Sequence, residues 1–469
     1  MLNTTSLSLL FSFLVCTLFG QVEEDPLLFF KQLPARTTQS IATAGALSSL
    51  GKDLNCFHSN PAGLALYDGW DLELRTGFWA SKKNFSPVIG AGVAITTNSS
   101  KNWVLGLGLN MHSSTAETRS YSVSEVSVGS QLEEFVEQAN RDASLDPLRA
   151  ALAEEAALIQ QTAHEYISGI SNAEPIYRQK EQRIKQVLGG FDSYLGAAIK
   201  YKNKLSIGLS LEGVVRELKQ TKHYQEKELS DTSWLRKLAF TEFHNRLGSG
   251  INFKLGGIYQ ISPQFSFGFR LGSPGFMKLE DSIYTEIAGQ FRGTDSLYTS
   301  SEASNFVQYK ARFRSPWSFA IHAAYTFGQE YSAIRGKLGI DGEYIHYPDS
   351  RFFIDQENAQ AFYGGSDFVA RLNQSIGQSY RGLFKLSIGG ELSVNRLHFR
   401  LGYRIAQAPY LKLQSFSHYI STGIGIVLNK DINSLNLSFA YTSREFYHSL
   451  ESSQKERNLV VLVSWRSSF

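Results

Sequence analysis

The residues of this sequence that could do chemistry are charged side chains placed at alternate positions within apolar segments. Arg400 and Arg404 are two of them, and Phe399, Leu401 and Tyr403 beside them are apolar. A guanidinium can bind a carboxylate through two parallel hydrogen bonds, so either arginine could hold the carboxylate of a ligand. The alternative is that charges of both signs pair with one another and stiffen the structure. The whole set on this polar face is Glu73, Arg75, Lys200, Glu212, Arg216, Lys254, Arg270, Lys337, Asp341, Glu343, Lys385, Glu391, Arg400 and Arg404.

The motifs that mark common active sites are absent from the sequence. It contains no Gly-x-Ser-x-Gly, Cys-x-x-Cys or His-Glu-x-x-His. Its 10 histidines are scattered, and those on the polar face, His112, His322 and His398, fit a polar lining better than a metal site. The net charge of +3, without a clustered basic face, argues against nucleic acid binding. We therefore predict a protein that is not an enzyme and has no cofactor, metal or nucleic acid partner.

Strands must position these charges, because apolar residues recur with a period of two. In the segment that begins at Trp70, for example, Leu72, Leu74 and Phe78 share one face and Glu73 lies on the other. About fourteen such segments are joined alternately by seven longer loops and six short turns. One of the longer loops is predicted to run from about Glu212 to about Asn245, and another from Leu271 to about Tyr309. This pattern predicts an all-β fold, a closed antiparallel transmembrane β-barrel with both termini periplasmic. A soluble β-sandwich or propeller is the alternative, but aromatic residues near the strand ends favour a membrane interface.

The chain is predicted to contain regions other than strands. Residues 1–20 include a long apolar run and predict a secretory signal peptide, with lipid attachment at Cys16 as the alternative. Residues 21–69 are rich in small residues and turn signals, and predict a compact periplasmic hatch inside the barrel of residues 70–469. Residues 113–190 interrupt the alternation and predict a helical extracellular insertion, with helices over 131–139, 148–167 and 175–188. The insertion could be a lid or a docking surface for a protein partner.

Small residues occupy several polar-face positions of the first strands. They leave space inside a barrel, either to admit the hatch or for packing alone. These positions are Gly90, Gly92, Gly106, Gly108, Gly196 and Ala198.

Three parts of the sequence resemble the FadL/TodX family of outer-membrane transporters. The first is the segment from Thr43 to the Asn60-Pro61-Ala62 tripeptide, which is similar to the family's hatch. The second is the hairpin 250–274, and the third is the final alternating strand, which ends on Phe469. The resemblance covers most of the chain after the signal peptide, and the insertion 113–190 departs from it.

The resemblance implies a fourteen-stranded barrel in the Gram-negative outer membrane whose lumen is closed by the hatch. It also implies passive diffusion of hydrophobic compounds, such as long-chain fatty acids, with Asn60, Pro61 and Ala62 in the gate. Release would follow hatch movement or a lateral gap in the wall. Partners would be outer-membrane lipids and a hydrophobic ligand. The alternative is a non-transporting accessory barrel, similar to the PorV-like subunits of type IX secretion, with a protein partner bound through residues 113–190.

Overall fold

Alternating apolar residues pair into long antiparallel strands that form one continuous sheet. The computed structural model describes residues 37–81, 85–97, 103–127, 176–202, 204–228, 235–292, 298–328, 332–354, 365–411, 415–428, 432–447 and 453–468. The predicted signal peptide and the terminal Phe469 therefore lie outside the described residues.

The sheet contains seventeen strand segments, all paired with antiparallel neighbours. The segments are β1 (Trp70–Ser81), β2 (Phe85–Thr97), β3 (Trp103–Ser127), β4 (Ile176–Tyr201), β5 (Leu205–Glu228), β6 (Leu235–Gln260), β7 (Phe265–Gly272), β8 (Phe276–Arg292), β9 (Tyr298–Arg314), β10 (Ser318–Phe327), β11 (Ile334–His346), β12 (Arg351–Ile354), β13 (Gly382–Val394), β14 (Leu397–Gln407), β15 (Phe416–Leu428), β16 (Asn433–Tyr447) and β17 (Ser453–Ser468).

The sheet closes on itself because β1 pairs with both β2 and β17. Three crossings are each made of two segments: β7 with β8, β9 with β10, and β11 with β12. The barrel therefore has 14 crossings, which confirms the predicted strand number and fold class. Closure leaves the sheet without a free edge. We call the end with the connections 98–102 and 202–204 the turn end, and the other end, where 128–175 joins β3 to β4, the loop end.

The two faces of the wall differ as the alternation predicts. Leu105 and Leu107 of β3 are 46% and 54% exposed on the outside, whereas Glu73 and Arg75 of β1 are 4% and 6% exposed on the lumen side. Outward apolar side chains of this kind continue around the barrel and form a belt suited to lipid.

Three strand breaks lie at the same height on adjacent crossings. Each contains a proline: Pro274 between β7 and β8, Pro316 between β9 and β10, and Pro348 between β11 and β12. Proline has no N–H to donate to a sheet, so it interrupts the pairing. The register fixes the shared height, because Gly272 pairs with Ser318 below the break. We call these three positions the proline line.

The loop-end parts of several strands are longer than predicted. The predicted loop after β5 is mostly strand, since β5 reaches Glu228 and β6 begins at Leu235. The prediction that 113–190 is a helical insertion is wrong at both of its ends. Residues 113–127 belong to β3 and 176–190 to β4, so the helix predicted over 175–188 is a strand. The other two predicted helices, 131–139 and 148–167, lie outside the described residues.

The described helices are short and lie inside or above the barrel. They are α1 (Thr38–Ala42), α2 (Cys56–Ser59) and α3 (Gly365–Ser379), with 3-10 turns at Pro61–Leu66 and Tyr347–Asp349. No helix in the described part of the chain is long and apolar enough to cross a bilayer.

Candidate functional site

The predicted hatch fills the lumen toward the turn end, and its described part begins at Thr37. Asn60 is fully buried there. Its amide nitrogen donates to the Gly257 carbonyl of β6 over 3.2 Å, and its amide oxygen accepts from the Ala62 N–H, also over 3.2 Å. Asn60 thereby caps the 3-10 helix that begins at Pro61. Proline is tolerated at this first position because an N–H there would have no partner within the helix. The tripeptide Asn60-Pro61-Ala62 is therefore fixed to the wall.

Inward glycines let the wall approach the hatch. A Cβ added at Gly106 would lie 2.6 Å from Cζ of Phe57, and one at Gly196 would lie 2.6 Å from Cδ1 of Leu64. Gly90 makes room for Arg75 instead of the hatch. The inward glycines that face the hatch are Gly92, Gly106, Gly108, Gly196, Gly208, Gly256, Gly268, Gly339, Gly389, Gly402 and Gly423. They surround most of it, so the space predicted from the small residues is occupied by the hatch.

Arg404 holds the beginning of the hatch from the opposite wall. Its guanidinium donates to the Ala44 carbonyl through two nitrogens and to Ser387 Oγ over 2.9 Å. Beside it, Ser421 Oγ donates to the Ala42 carbonyl over 3.0 Å. The side chain predicted to bind a ligand carboxylate is thus engaged with the hatch backbone.

Two hydroxyl pairs are further contacts between hatch and wall. Thr38 Oγ1 lies 2.6 Å from Ser464 Oγ of β17, and Ser266 Oγ of β7 donates to Ser49 Oγ over 3.2 Å. The hatch is therefore attached to strands on different sides of the barrel.

Arg400 belongs to a buried network of charges. Its Nε donates to Glu391 Oε2 over 2.6 Å, and its Nη1 donates to Asn436 Oδ1 over 2.8 Å. Lys337 Nζ donates to the other oxygen of Glu391 over 2.6 Å. Glu343 is shared in the same way by Arg270 and by Lys385. These contacts agree with the second interpretation of the lumen charges, in which charges of opposite sign pair with one another.

One buried ion pair joins two residues that are outside the set predicted for the polar face. Arg246 of β6 and Asp281 of β8 are both fully buried and stand directly opposite in the register. Arg246 Nη2 donates to Asp281 Oδ2 over 2.8 Å, and Nε donates to Oδ1.

The lumen toward the loop end contains a large apolar cluster that is rich in aromatic rings. Phe313 of β9 packs on Phe352 of β12 with 4.6 Å between the ring centroids, and Tyr380 meets Tyr410 at 5.0 Å. We call this group the loop-end cluster. Its buried members are Leu188, Val214, Leu218, Met277, Leu279, Ile283, Tyr309, Ala311, Phe313, Ile345, Tyr347, Phe352, Leu372, Ile376, Tyr380, Leu383, Ala406, Ala408 and Tyr410.

Helix α3 covers the loop-end cluster. It buries Leu372 and Ile376 in the cluster and exposes Gln374 and Gln378. The Asn373 side chain accepts from the Phe352 N–H over 2.7 Å and donates to the Phe352 carbonyl over 2.9 Å. One amide thus ties the helix to β12, and Leu372 and Ile376 add apolar contacts, which have no directional requirement.

A polar cavity of about 180 Å³ lies between the hatch and the wall, and its lining includes Asp53, Glu391, His398 and Arg400. Asp53 Oδ2 accepts from Thr37 Oγ1 over 2.9 Å, and its Oδ1 accepts from the Asn55 N–H over 3.0 Å. Burial raises the pKa of Asp53, and the hydrogen bonds from Asn55 and Thr37 oppose that shift.

Cys56 of the hatch is buried, and burial raises the pKa of its thiol to about 12. Among the described residues no group of three or more His, Cys, Asp or Glu is placed to hold a metal ion.

Neither a family model nor a curated protein matches this sequence, but solved structures match its fold. A FadL homologue of Pseudomonas aeruginosa matches with a TM-score of 0.56 and 10% identity, over 93% of this chain and 99% of that chain. The CymD monoaromatic hydrocarbon channel matches with a TM-score of 0.53 and 14% identity, over 93% and 98%. The Pseudomonas putida toluene transporter TodX matches with a TM-score of 0.50 and 15% identity, over 93% and 99%. The chain has the fold of the FadL/TodX channels.

This FadL-type barrel contains two different environments along its axis. Toward the loop end a large cluster of buried hydrocarbon and aromatic side chains can accommodate apolar groups, and the Arg246–Asp281 ion pair lies beside it. Toward the turn end the hatch is held by hydrogen bonds, ion pairs and close glycine contacts. A hydrophobic molecule could replace the first set of contacts and could not replace the second.

Proposed function

We propose that this protein lies in the outer membrane of a Gram-negative bacterium and lets hydrophobic small molecules diffuse passively through its lumen. The loop end is extracellular and both termini are periplasmic. The observation that supports this most is the loop-end cluster, an apolar lumen segment above a hatch, within a fold shared with hydrophobic compound channels. Diffusion down a gradient needs no cofactor.

The ligand enters the loop-end cluster by taking the place of α3. Leu372 and Ile376 of α3 fill the position that an alkyl chain or an aromatic ring would occupy. Burial of apolar surface is worth about 25 cal/mol per Å², so a ligand of similar apolar area can compete with the helix. Long-chain fatty acids are the first ligand class we propose, and monoaromatic hydrocarbons are the comparison class.

Asn60, Pro61 and Ala62 lock the closed state of the hatch. Their contacts with Gly257 and with the glycines of β5 and β6 keep the hatch seated. Release of these contacts opens the route to the periplasm. Binding of a ligand carboxylate by Arg400 or Arg404 stays a prediction, and the contacts of both side chains favour holding the closed state.

Ligand binding can be assigned to one half of the lumen by polar substitutions of matched size. The protein in mild detergent is titrated with a fluorescent fatty acid analogue. Leu279→Asn places an amide in the loop-end cluster and should weaken binding about tenfold or more, since a buried polar group without a partner costs about 1–3 kcal/mol. Leu54→Asn makes the same change in the hatch and should leave binding unchanged. Equal weakening by both variants, or by neither, would reject the loop-end cluster as the binding site.

The height of the wall favours a second candidate function. Strands β3 to β6 have 24 to 26 residues, whereas about 9–11 residues cross a bilayer. A sheet that extends so far beyond the membrane suits an accessory barrel that binds a protein partner. Recovery of a stoichiometric partner with the purified barrel, together with failure of fatty acid to enter proteoliposomes, would favour this function over transport.

A further inference from the structure

The outer wall just above the proline line carries basic side chains on three adjacent strands. In β8 and β9 the lumen side is occupied by Met277, Leu279 and Phe313, each 2% exposed or less, so the residues of opposite parity face outward. Five outward residues here are cationic, and we call them the basic patch. They are Lys278, Lys310, Arg312, Arg314 and Arg351.

The register brings the cations into adjacent rows. Arg314 stands opposite Arg351, and Lys278 stands opposite Arg312. Directly opposed residues in a sheet have Cβ atoms about 4.5–5.5 Å apart, and like charges at this distance repel. Glu280 of β8 also faces outward and lies 3.6 Å from Lys310. The five cations of the patch thus outnumber this carboxylate.

Two of the guanidinium groups are positioned by backbone carbonyls of the strand break. Arg351 Nη1 donates to the carbonyls of Pro348 and Ser350 over 2.6 Å and 2.8 Å. Arg314 Nη2 donates to the Asp349 carbonyl over 3.2 Å. A fixed guanidinium loses less conformational freedom when it binds an anion, so these two groups are preorganised.

The basic patch lies at the upper border of the apolar belt. Below the proline line the outward residues of the same crossings are apolar, with Leu271 46% exposed and Phe319 38% exposed. Within the patch Phe276 and Phe353 are exposed beside the cations. Neighbouring β6 presents the neutral residues Ser249 and Leu247 opposite Lys278 and Glu280, so β6 does not continue the rows of cations.

We propose that the basic patch binds the phosphate groups of a phosphorylated glycolipid, the lipid A portion of lipopolysaccharide, in the outer leaflet. Arginine and lysine are strong phosphate ligands, and the aromatic residues and belt below them suit the acyl chains. The inference rests on the proposed outer-membrane location with the loop end outside, and it does not depend on transport.

Native mass spectrometry of the full-length barrel tests this site. The barrel is incubated with bis-phosphorylated lipid A, with dephosphorylated lipid A, or with phosphatidylglycerol. The double variant Lys278→Gln/Arg312→Gln removes two charges from the patch, and Arg183→Gln/Lys219→Gln removes two exposed charges from β4 and β5. A cation near an anionic lipid surface contributes about 1 kcal/mol of binding free energy, so loss of two cations should weaken lipid A binding about 30-fold in the patch variant. The control variant should bind lipid A as tightly as the unmodified protein.

Three results would overturn the proposal: equal loss in the control variant, equal binding of dephosphorylated lipid A, or equal binding of phosphatidylglycerol. Heat-modifiable migration on gels verifies that both variants are folded. In the unmodified protein, binding should also fall as salt is raised, because exposed charges are screened. Lost lipid A binding with normal fatty acid uptake is expected for the patch variant. Lipid A binding by a barrel that transports nothing would instead contradict the proposed function alone.

Discussion

The two halves of the lumen are closed in different ways. Toward the loop end, α3 lies over a cluster of apolar side chains, and the Asn373 side chain is the polar tie between that helix and β12. Toward the turn end, the hatch is held by Asn60, by Arg404, and by glycines that admit its backbone. The difference separates two tasks. A hydrophobic ligand can enter the first half by replacing equivalent contacts, whereas passage through the second half requires the hatch itself to move.

The largest expected effect comes from filling one glycine position under the hatch. A Cβ at Gly208 would collide with the backbone of Pro61 and Ala62. Overpacking costs about 1–3 kcal/mol, so Gly208→Ala should raise the population of an undocked hatch by roughly 5- to 150-fold. Ion conductance of single barrels in planar bilayers should rise accordingly. Gly342→Ala is the control, because its Cβ would meet Ile321 at an ordinary 3.6 Å.

Removal of the Asn60 side chain should loosen the same contact by a smaller amount. Asn60→Ala loses a helix cap, worth about 1 kcal/mol, and leaves the buried Gly257 carbonyl without its donor. Asn60→Ser keeps an oxygen that can accept from the Ala62 N–H and loses the donor to Gly257. Protease accessibility of the hatch in proteoliposomes should increase in the order unmodified protein, Ser variant, Ala variant. An Ala variant as resistant as the unmodified protein would show that Asn60 does not hold the hatch.

Loosening α3 should affect the loop-end half of the lumen. It should strengthen ligand binding there and leave the hatch closed. Asn373→Ala removes two hydrogen bonds to Phe352, each worth about 1 kcal/mol net or somewhat less. If α3 competes with the ligand, apparent fatty acid affinity should increase about tenfold, without a rise in ion conductance. Gln374→Ala, on the exposed face, should change neither quantity. Weaker binding in Asn373→Ala would mean that α3 forms part of the site instead of covering it.

The smallest expected effect is a pH dependence confined to the hatch. Burial raises the pKa of Asp53, so the folded hatch favours the protonated carboxyl. This contribution to stability is fully present below the ordinary pKa of 3.8 and is lost as the pH rises through the higher folded value. Protease accessibility of the hatch should therefore increase from acidic toward neutral pH, and Asp53→Asn should flatten this dependence. An unchanged slope in the variant would assign the pH effect to other groups.

The sequence predicted the membrane-spanning part of each strand because lipid outside and a polar lumen inside impose strict alternation. It did not predict the loop-end extensions. There both faces can be polar, as at outward Glu217 and Lys219 of β5, and backbone pairing alone sustains the strand. The helix predicted over 175–188 is a strand for the same reason. Polar and apolar residues in a water-exposed strand need not alternate, so their spacing there can resemble that of a helix.

The candidate site was predictable in part. Inward glycines and the Asn60-Pro61-Ala62 turn indicated a hatch and the space for it. The sequence contains the three prolines of the proline line, Pro274, Pro316 and Pro348. Their common height can be predicted only when the register of the three crossings is known. The engagement of Arg404 with Ala44 was not predictable, because it joins residues 360 positions apart through a backbone carbonyl.

Fatty acid uptake with the hatch locked by a disulfide tests the account most directly. Thr38 Oγ1 and Ser464 Oγ lie 2.6 Å apart, so Thr38→Cys/Ser464→Cys, in a Cys56→Ser background, places two thiols within bonding reach across the hatch and β17. The account predicts that uptake into proteoliposomes is lost when the disulfide forms and returns on reduction, while binding in the loop-end cluster persists in both states. Uptake that continues undiminished through the oxidised barrel would contradict hatch movement as the route.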